Sequence, residues 1–200
     1  MLLIRCNISS LVVDTLCEQA VKENAAVACF YFDFAAGEEQ SPAAVLGSVL
    51  KQLVAGLEKV PERIVKAFRD QRKVIGGQRL SLSEIVEFLQ DILSSRCTFM
   101  CIDALDECPS GHRVELLDSL NQILQKSPGV RLFMTGRQHN LGEVERRLGG
   151  RVPTRCITPT KNDIITFLRA KLEEDTIPDA MDESLEEEIM KRIPETFSEM

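Results

Sequence analysis

Three short β-prone runs, separated by stretches of helical periodicity, constrain this chain more than any other feature of it. They are Val27 to Phe34 (VACFYFDF), Thr98 to Ile102 (TFMCI) and Val130 to Thr135 (VRLFMT), and a weaker run lies near Thr154 to Thr158. Each of the three is apolar almost throughout instead of alternating, which is the pattern of strands buried on both faces. Strands that alternate with helices imply an α/β fold, a parallel sheet in a three-layer arrangement with helices on both faces. Tryptophan is absent and aromatics make up 5% of the chain, so the core must be built from Leu, Ile, Val and Ala. That palette suits helices packed on a sheet better than an all-β sandwich.

The intervening stretches carry their own punctuation. Leu11 to Val21 has helical spacing, with Ser9 or Ser10 available as an N-cap. Ser41 caps a helix with Pro42 at its first position, and Val45, Val49, Leu53 and Leu57 line one face. Pro61 opens another helix with Ile64, Phe68 and Ile75 expected inward, stopped by Gly76-Gly77. Ser81 or Ser83 begins a third, with Ile85, Leu89 and Ile92. A helix from about His112 to Gln125 and a short one near Leu141 to Leu148 flank the third strand. After Pro159 the pattern is helical only, with Ile164, Ile165 and Leu168 on one stripe and Leu185, Ile189 and Ile193 on another.

The net charge of −7 argues against non-specific nucleic-acid binding, which needs basic surface. Most of the acidity is local: Leu172 to Met200 holds eleven acidic residues against two basic ones, while Met1 to Lys171 is close to neutral. That acidic tail reads as a solvated helix face whose apolar stripe is a domain contact. Seven cysteines without a CxxC pair fit free thiols in a reducing compartment. The opening MLLIRC is too short and too interrupted for a signal peptide or an anchor. The expectation is a cytoplasmic chain with no membrane partner.

The segment that carries chemistry is FMCIDALDEC, Phe99 to Cys108. Ligands of an open parallel sheet sit at the C-terminal ends of its strands, where Asp103 would emerge. A carboxylate there can hold Mg²⁺, and a second one nearby can orient or deprotonate an attacking water. Asp103 is therefore the candidate metal residue, with Asp106 and Glu107 as candidate catalytic acids. The next strand ends in Thr135-Gly136-Arg137, which would aim the Arg137 guanidinium at a phosphate. Cys97, Cys101, Cys108 and His112 are close in sequence, but their spacing matches no structural zinc pattern, and core thiols beside an exposed His is the preferred reading.

The segments VACFYFDF, FMCIDALDECP, RLFMTGRQH and ITPTKNDIITFL together resemble the NACHT-type domains of STAND P-loop NTPases, in particular the nephrocystin-like N-terminal domains of fungal ankyrin-type receptor proteins. The resemblance runs from about Ser9 to Met200. It implies Asp103 as the Walker B Mg²⁺ residue, Asp106 and Glu107 as the acidic pair, and Arg137 as the sensor arginine. It also implies a nucleotide-binding α/β core over residues 1–159 and the first helices of a helical lid over 160–200. The intact family uses Mg²⁺ with ATP or GTP, and it is a family of nucleotide hydrolases that act as signalling switches.

The chain departs from that pattern at one place. Such a domain should open with a strand, a GxxxxGK[ST] loop and a helix, yet no glycine precedes Gly37 and no lysine precedes Lys22. The loop is expected to be missing between about Asn7 and Ile8, and the lid to be cut short at Met200. Two readings follow: a switch fragment impaired in nucleotide binding and hydrolysis, or a non-catalytic scaffold fragment or decayed or mis-predicted product. Ser9 and Ser10 are the only hydroxyls placed to imitate the lost loop, with Arg5 as the nearby cation. Apolar surface left uncovered by the missing unit would favour protein partners or self-association.

Overall fold

The computed structural model describes residues 2–73, 80–94, 96–149, 153–157, 160–173 and 183–198. The chain forms two compact units, Met1–Pro153 and Thr154–Met200. In the first, the order is α1 (Leu2–Glu23), β1 (Ala26–Tyr31), α2 (Pro42–Ala55), α3 (Glu62–Lys73), α4 (Leu82–Leu93), β2 (Thr98–Asp103), α5 (Ser110–Lys126), β3 (Val130–Met134) and α6 (Leu141–Arg147). The second contains α7 (Lys161–Glu173) and α8 (Glu183–Ser198), which pack on each other.

The three strands pair in the order β1-β2-β3, all parallel. Thr98 to Asp103 lie beside Ala26 to Tyr31, and Thr98 to Ile102 lie beside Val130 to Met134. Alternation gives the sheet two different faces. The even-numbered residues, among them Ala28, Phe32, Met100, Ile102 and Val130, join Val45, Leu46, Leu50, Leu89, Leu117 and Leu120 in one core with α2, α4 and α5. The odd-numbered face carries Cys29, Tyr31, Cys101 and Asp103, and α1 packs on β1 and β2 and reaches this face through Ser9. The result is the expected three-layer α/β fold.

Two helix starts read from sequence are present in full. The Ser41 hydroxyl accepts from the Ala44 N–H with Pro42 opening α2, and Ser81 and Glu84 form a reciprocal capping box at α4. Other expectations change. The first helix does not begin at Ser9 or Ser10; it runs unbroken through both from Leu2. Phe68 is 45% exposed and does not join the core as Ile64 does. Ile75 and Gly76-Gly77 lie outside the described residues. The fourth strand is not formed over residues 153–157, whose side chains are exposed. A strand exists only by pairing, and apolar composition does not by itself supply a partner.

The two ends and the two edges of the sheet are finished differently. At the N-terminal end, Arg96 donates to three carbonyls, Asn24 at 3.3 Å, Ala25 at 3.2 Å and Gly56 at 3.4 Å. Along the outer edge of β1, glutamine side chains stand in for a neighbouring strand. The Gln52 carboxamide accepts from the Cys29 N–H at 3.0 Å and donates to the Cys29 carbonyl at 2.8 Å. Gln40 does the same for Asp33, at 3.0 and 2.5 Å. A primary amide has the same donor–acceptor pair as a peptide unit, so each glutamine closes one outward-facing backbone position. Among the described residues, no side chain serves β3 in this way.

Candidate functional site

Asp103 is the last residue of β2 and is 5% exposed. Two hydroxyls meet one of its oxygens: Ser9 of α1 and Thr135, just past β3, both donate to Oδ1, the second at 2.5 Å. The Thr135 hydroxyl in turn accepts from the Ala104 N–H at 3.0 Å, so one side chain fixes both the carboxylate and the start of the following turn. Ala104 has φ 55° and ψ 46°, a left-handed conformation that costs an alanine about 1 kcal/mol. The surroundings hold it there: the Leu105 N–H donates to the Thr135 carbonyl, and Leu105 is buried in the core.

This turn throws the chain into a single 3-10 turn, Leu105–Glu107, which carries the two other acidic candidates. Asp106 is drawn in, its side chain 5% exposed, and its Oδ2 pairs with Arg137 Nε at 2.9 Å. Glu107 is half-buried on the same turn and joins neither pair among the described residues. The acidic strand and the arginine loop are thus brought together, as Asp103 with Thr135 and Asp106 with Arg137.

Behind the turn lies a group of residues that sequence reasoning did not find. Arg113 of α5 donates through Nη1 to the Cys108 carbonyl at 2.9 Å and through Nε to Glu143 Oε2 of α6 at 2.7 Å. Arg147 of α6 extends the chain of charges to Asp118 at 2.6 Å. Helix α5 follows the acidic turn and α6 follows the arginine loop, so this network fixes the two loops relative to each other. The spacing of four between Glu143 and Arg147 on one helix is a signal that could have found that pair; nothing local points to their partners on α5.

Tyr31 stands at the end of β1 with Cys29 on the same face of the sheet. Burial pushes the Tyr31 hydroxyl upward, the neighbouring Cys29 thiol adds to this, and the Ser10 hydrogen bond lowers it. Burial also pushes the Cys101 and Cys108 thiols up to about 11 each, which makes them poor ligands and nucleophiles near neutral pH. Among the described residues no three His, Cys, Asp or Glu side chains are grouped to hold a metal ion. That covers the Cys97, Cys101, Cys108 and His112 set, and also Asp103, Asp106 and Glu107.

Asp103, Ser9 and Thr135 offer oxygen, the ligand type of Mg²⁺, and both hydroxyls are already held on Asp103 Oδ1. A phosphate cradle needs unpaired backbone N–H groups at a helix N-terminus. Ser9 and Ser10 lie well inside α1, where backbone N–H groups are committed to the preceding turn. The Ser9 hydroxyl also donates its hydrogen to Asp103. Ser9 and Ser10 therefore do not form a phosphate cradle of this kind.

The family model of the nephrocystin 3 N-terminal domain matches residues 7–137, from within α1 to the arginine after β3. The chain belongs to the nephrocystin 3 N-terminal family. Comparison with curated proteins gave no match. The matched region of this nephrocystin-like domain contains the whole sheet and all four candidate residues, Asp103, Asp106, Glu107 and Arg137. No helix among its described residues is long and apolar enough to cross a membrane.

Proposed function

We propose that this nephrocystin-like domain is a nucleotide-independent relative of a NACHT-type switch, one that acts through protein contacts instead of through NTP binding and hydrolysis. The observation that carries the reading is the mutual pairing at the strand ends. The Ser9 and Thr135 hydroxyls hold Asp103, and Asp106 holds Arg137. In a nucleotide switch, an acidic strand end and an arginine after the next strand would face Mg²⁺ and a phosphate, and the core would change shape when these were exchanged. Here the same groups bridge α1, β2 and β3 directly, so the domain keeps one arrangement without a ligand. Helix α1, which would present a phosphate loop at its start in such a switch, acts as a strut.

The test is Mg²⁺-dependent binding of fluorescent ATP and GTP analogues to the purified, folded chain, alongside Asp103→Ala. The expected result is no saturable signal for either protein up to high micromolar concentration. Saturable, Mg²⁺-dependent binding that disappears in Asp103→Ala would overturn the proposal and restore a nucleotide-controlled switch.

A further inference from the structure

The two edges of the sheet differ in a way that points to a partner. Backbone bonds alternate in direction along a strand, and the bonds between β2 and β3 fix which residues of β3 face inward. The Gly129 carbonyl accepts from Thr98 and the Thr135 N–H donates to Ile102, so the odd-numbered residues of β3 are turned toward β2. Val130, Leu132 and Met134 are turned outward. The Val130 N–H is consumed by the Ser127 carbonyl at 3.0 Å. That leaves the N–H groups of Leu132 and Met134 and the carbonyls of Val130, Leu132 and Met134 along the outer edge. On the other edge, two outward positions, Cys29 within β1 and Asp33 just past it, are closed by Gln52 and Gln40. An edge without such protection is a template for another strand.

We infer that β3 pairs with β3 of a second copy of this chain, antiparallel about a two-fold axis through Leu132, to join two three-stranded sheets into one. The strand is self-complementary about that residue. Leu132 meets Leu132 of the second copy and exchanges both backbone bonds. Each Met134 N–H meets a Val130 carbonyl, the one group of Val130 still available. Four hydrogen bonds form, and the consumed Val130 N–H is not needed. The side chains match as well. Val130, Leu132 and Met134 all belong to the core-facing side, so the two apolar faces become continuous. On the other face, Arg131 stands opposite Phe133 of the second copy, which sets a guanidinium beside an aromatic ring. An isologous contact of this kind closes at two copies, because the two-fold axis uses the same edge of both chains.

The experiment is sedimentation of the full chain over about a hundredfold range of concentration, with amide hydrogen exchange read at Leu132 and Met134. The expected result is a concentration-dependent doubling of mass, with both amides slowing in step. On the backbone, Leu132→Pro removes an outward N–H and takes nothing from the β2 ladder, and Leu132→Ala controls for the shortened side chain, so Leu132→Pro should weaken the dimer at least about tenfold in a chain that still folds. Leu132→Ala keeps the N–H and should still dimerise. A chain that stays monomeric with fast exchange at both amides would overturn the inference. So would protection that does not vary with concentration, since another part of the same chain would then cover the edge. Dimerisation unchanged by Leu132→Pro would place the contact elsewhere and overturn it equally.

Discussion

Replacing Arg113 by methionine tests whether the acidic turn and the arginine loop are held together by charge. The guanidinium side chain is 13% exposed and its partner Glu143 is 21% exposed, so the pair is mostly removed from water. Breaking a buried pair by deleting one partner costs about 3–5 kcal/mol, chiefly for the charge left behind. Here the penalty is smaller, because Glu143 keeps some solvent and has Arg147 within 4.0 Å. The bond to the Cys108 carbonyl, a charged donor at 2.9 Å, adds about 1.5 kcal/mol. Together these give about 2–4 kcal/mol, while methionine keeps most of the apolar stem in place. Urea unfolding followed by circular dichroism measures the loss, and Arg113→Met combined with Glu143→Gln isolates the pair. The combined variant should recover about 1–2 kcal/mol relative to additivity. A loss below about 1 kcal/mol with additive single changes would refute the argument, and the network would then be a surface feature.

Three shorter expectations follow from other contacts. Gln52→Glu should destabilise the chain by about 1–2 kcal/mol at neutral pH, because a carboxylate cannot donate to the Cys29 carbonyl; urea midpoints should show part of the loss returning once the carboxyl is protonated. Glu84 is held below the ordinary 4.5 by the Ser81 hydroxyl and backbone N–H. Its contribution to α4 is therefore complete above that value and fades as pH falls below it, and amide exchange across Ser81 to Glu84 should quicken in that acid range. In alkylation near pH 8 with mass mapping, exposed Cys17 and Cys156 should react in the native chain, and Cys101 and Cys108, raised to about 11, only on unfolding.

Local chemistry was legible wherever one short segment decides the outcome. The apolar runs at Thr98 and Val130 became β2 and β3, and Ser41-Pro42 and Ser81, one of the two serines offered there, became caps, since each places its own donors and acceptors. The run at Val27 became β1 but stopped at Tyr31, with Gln40 taking over the backbone of Asp33 beyond its end. What needed two distant segments was not legible. Ser9 reads locally as a cap, yet its hydroxyl is fixed by Asp103 ninety-four positions away, while the backbone around it stays helical. The Thr154 run has strand composition but forms no strand over residues 153–157, because composition alone does not establish pairing. Gln52 could have been found: it is polar, next to Leu53 and one helical turn from Val49, on the side of α2 that meets the sheet.

The Arg96 staple sets how the first unit comes apart. One guanidinium joins a residue at position 96 to carbonyls at 24, 25 and 56, so it closes loops of very different length with a single side chain. Bringing those segments together costs chain entropy that only a nearly finished fold has already spent. The contact should form after the transition state of folding and be among the first lost on the way out. Arg96→Ala should then quicken unfolding while leaving the refolding rate nearly unchanged. The lifetime of the folded unit, more than its speed of assembly, rests on this one side chain at the end of the sheet opposite Asp103.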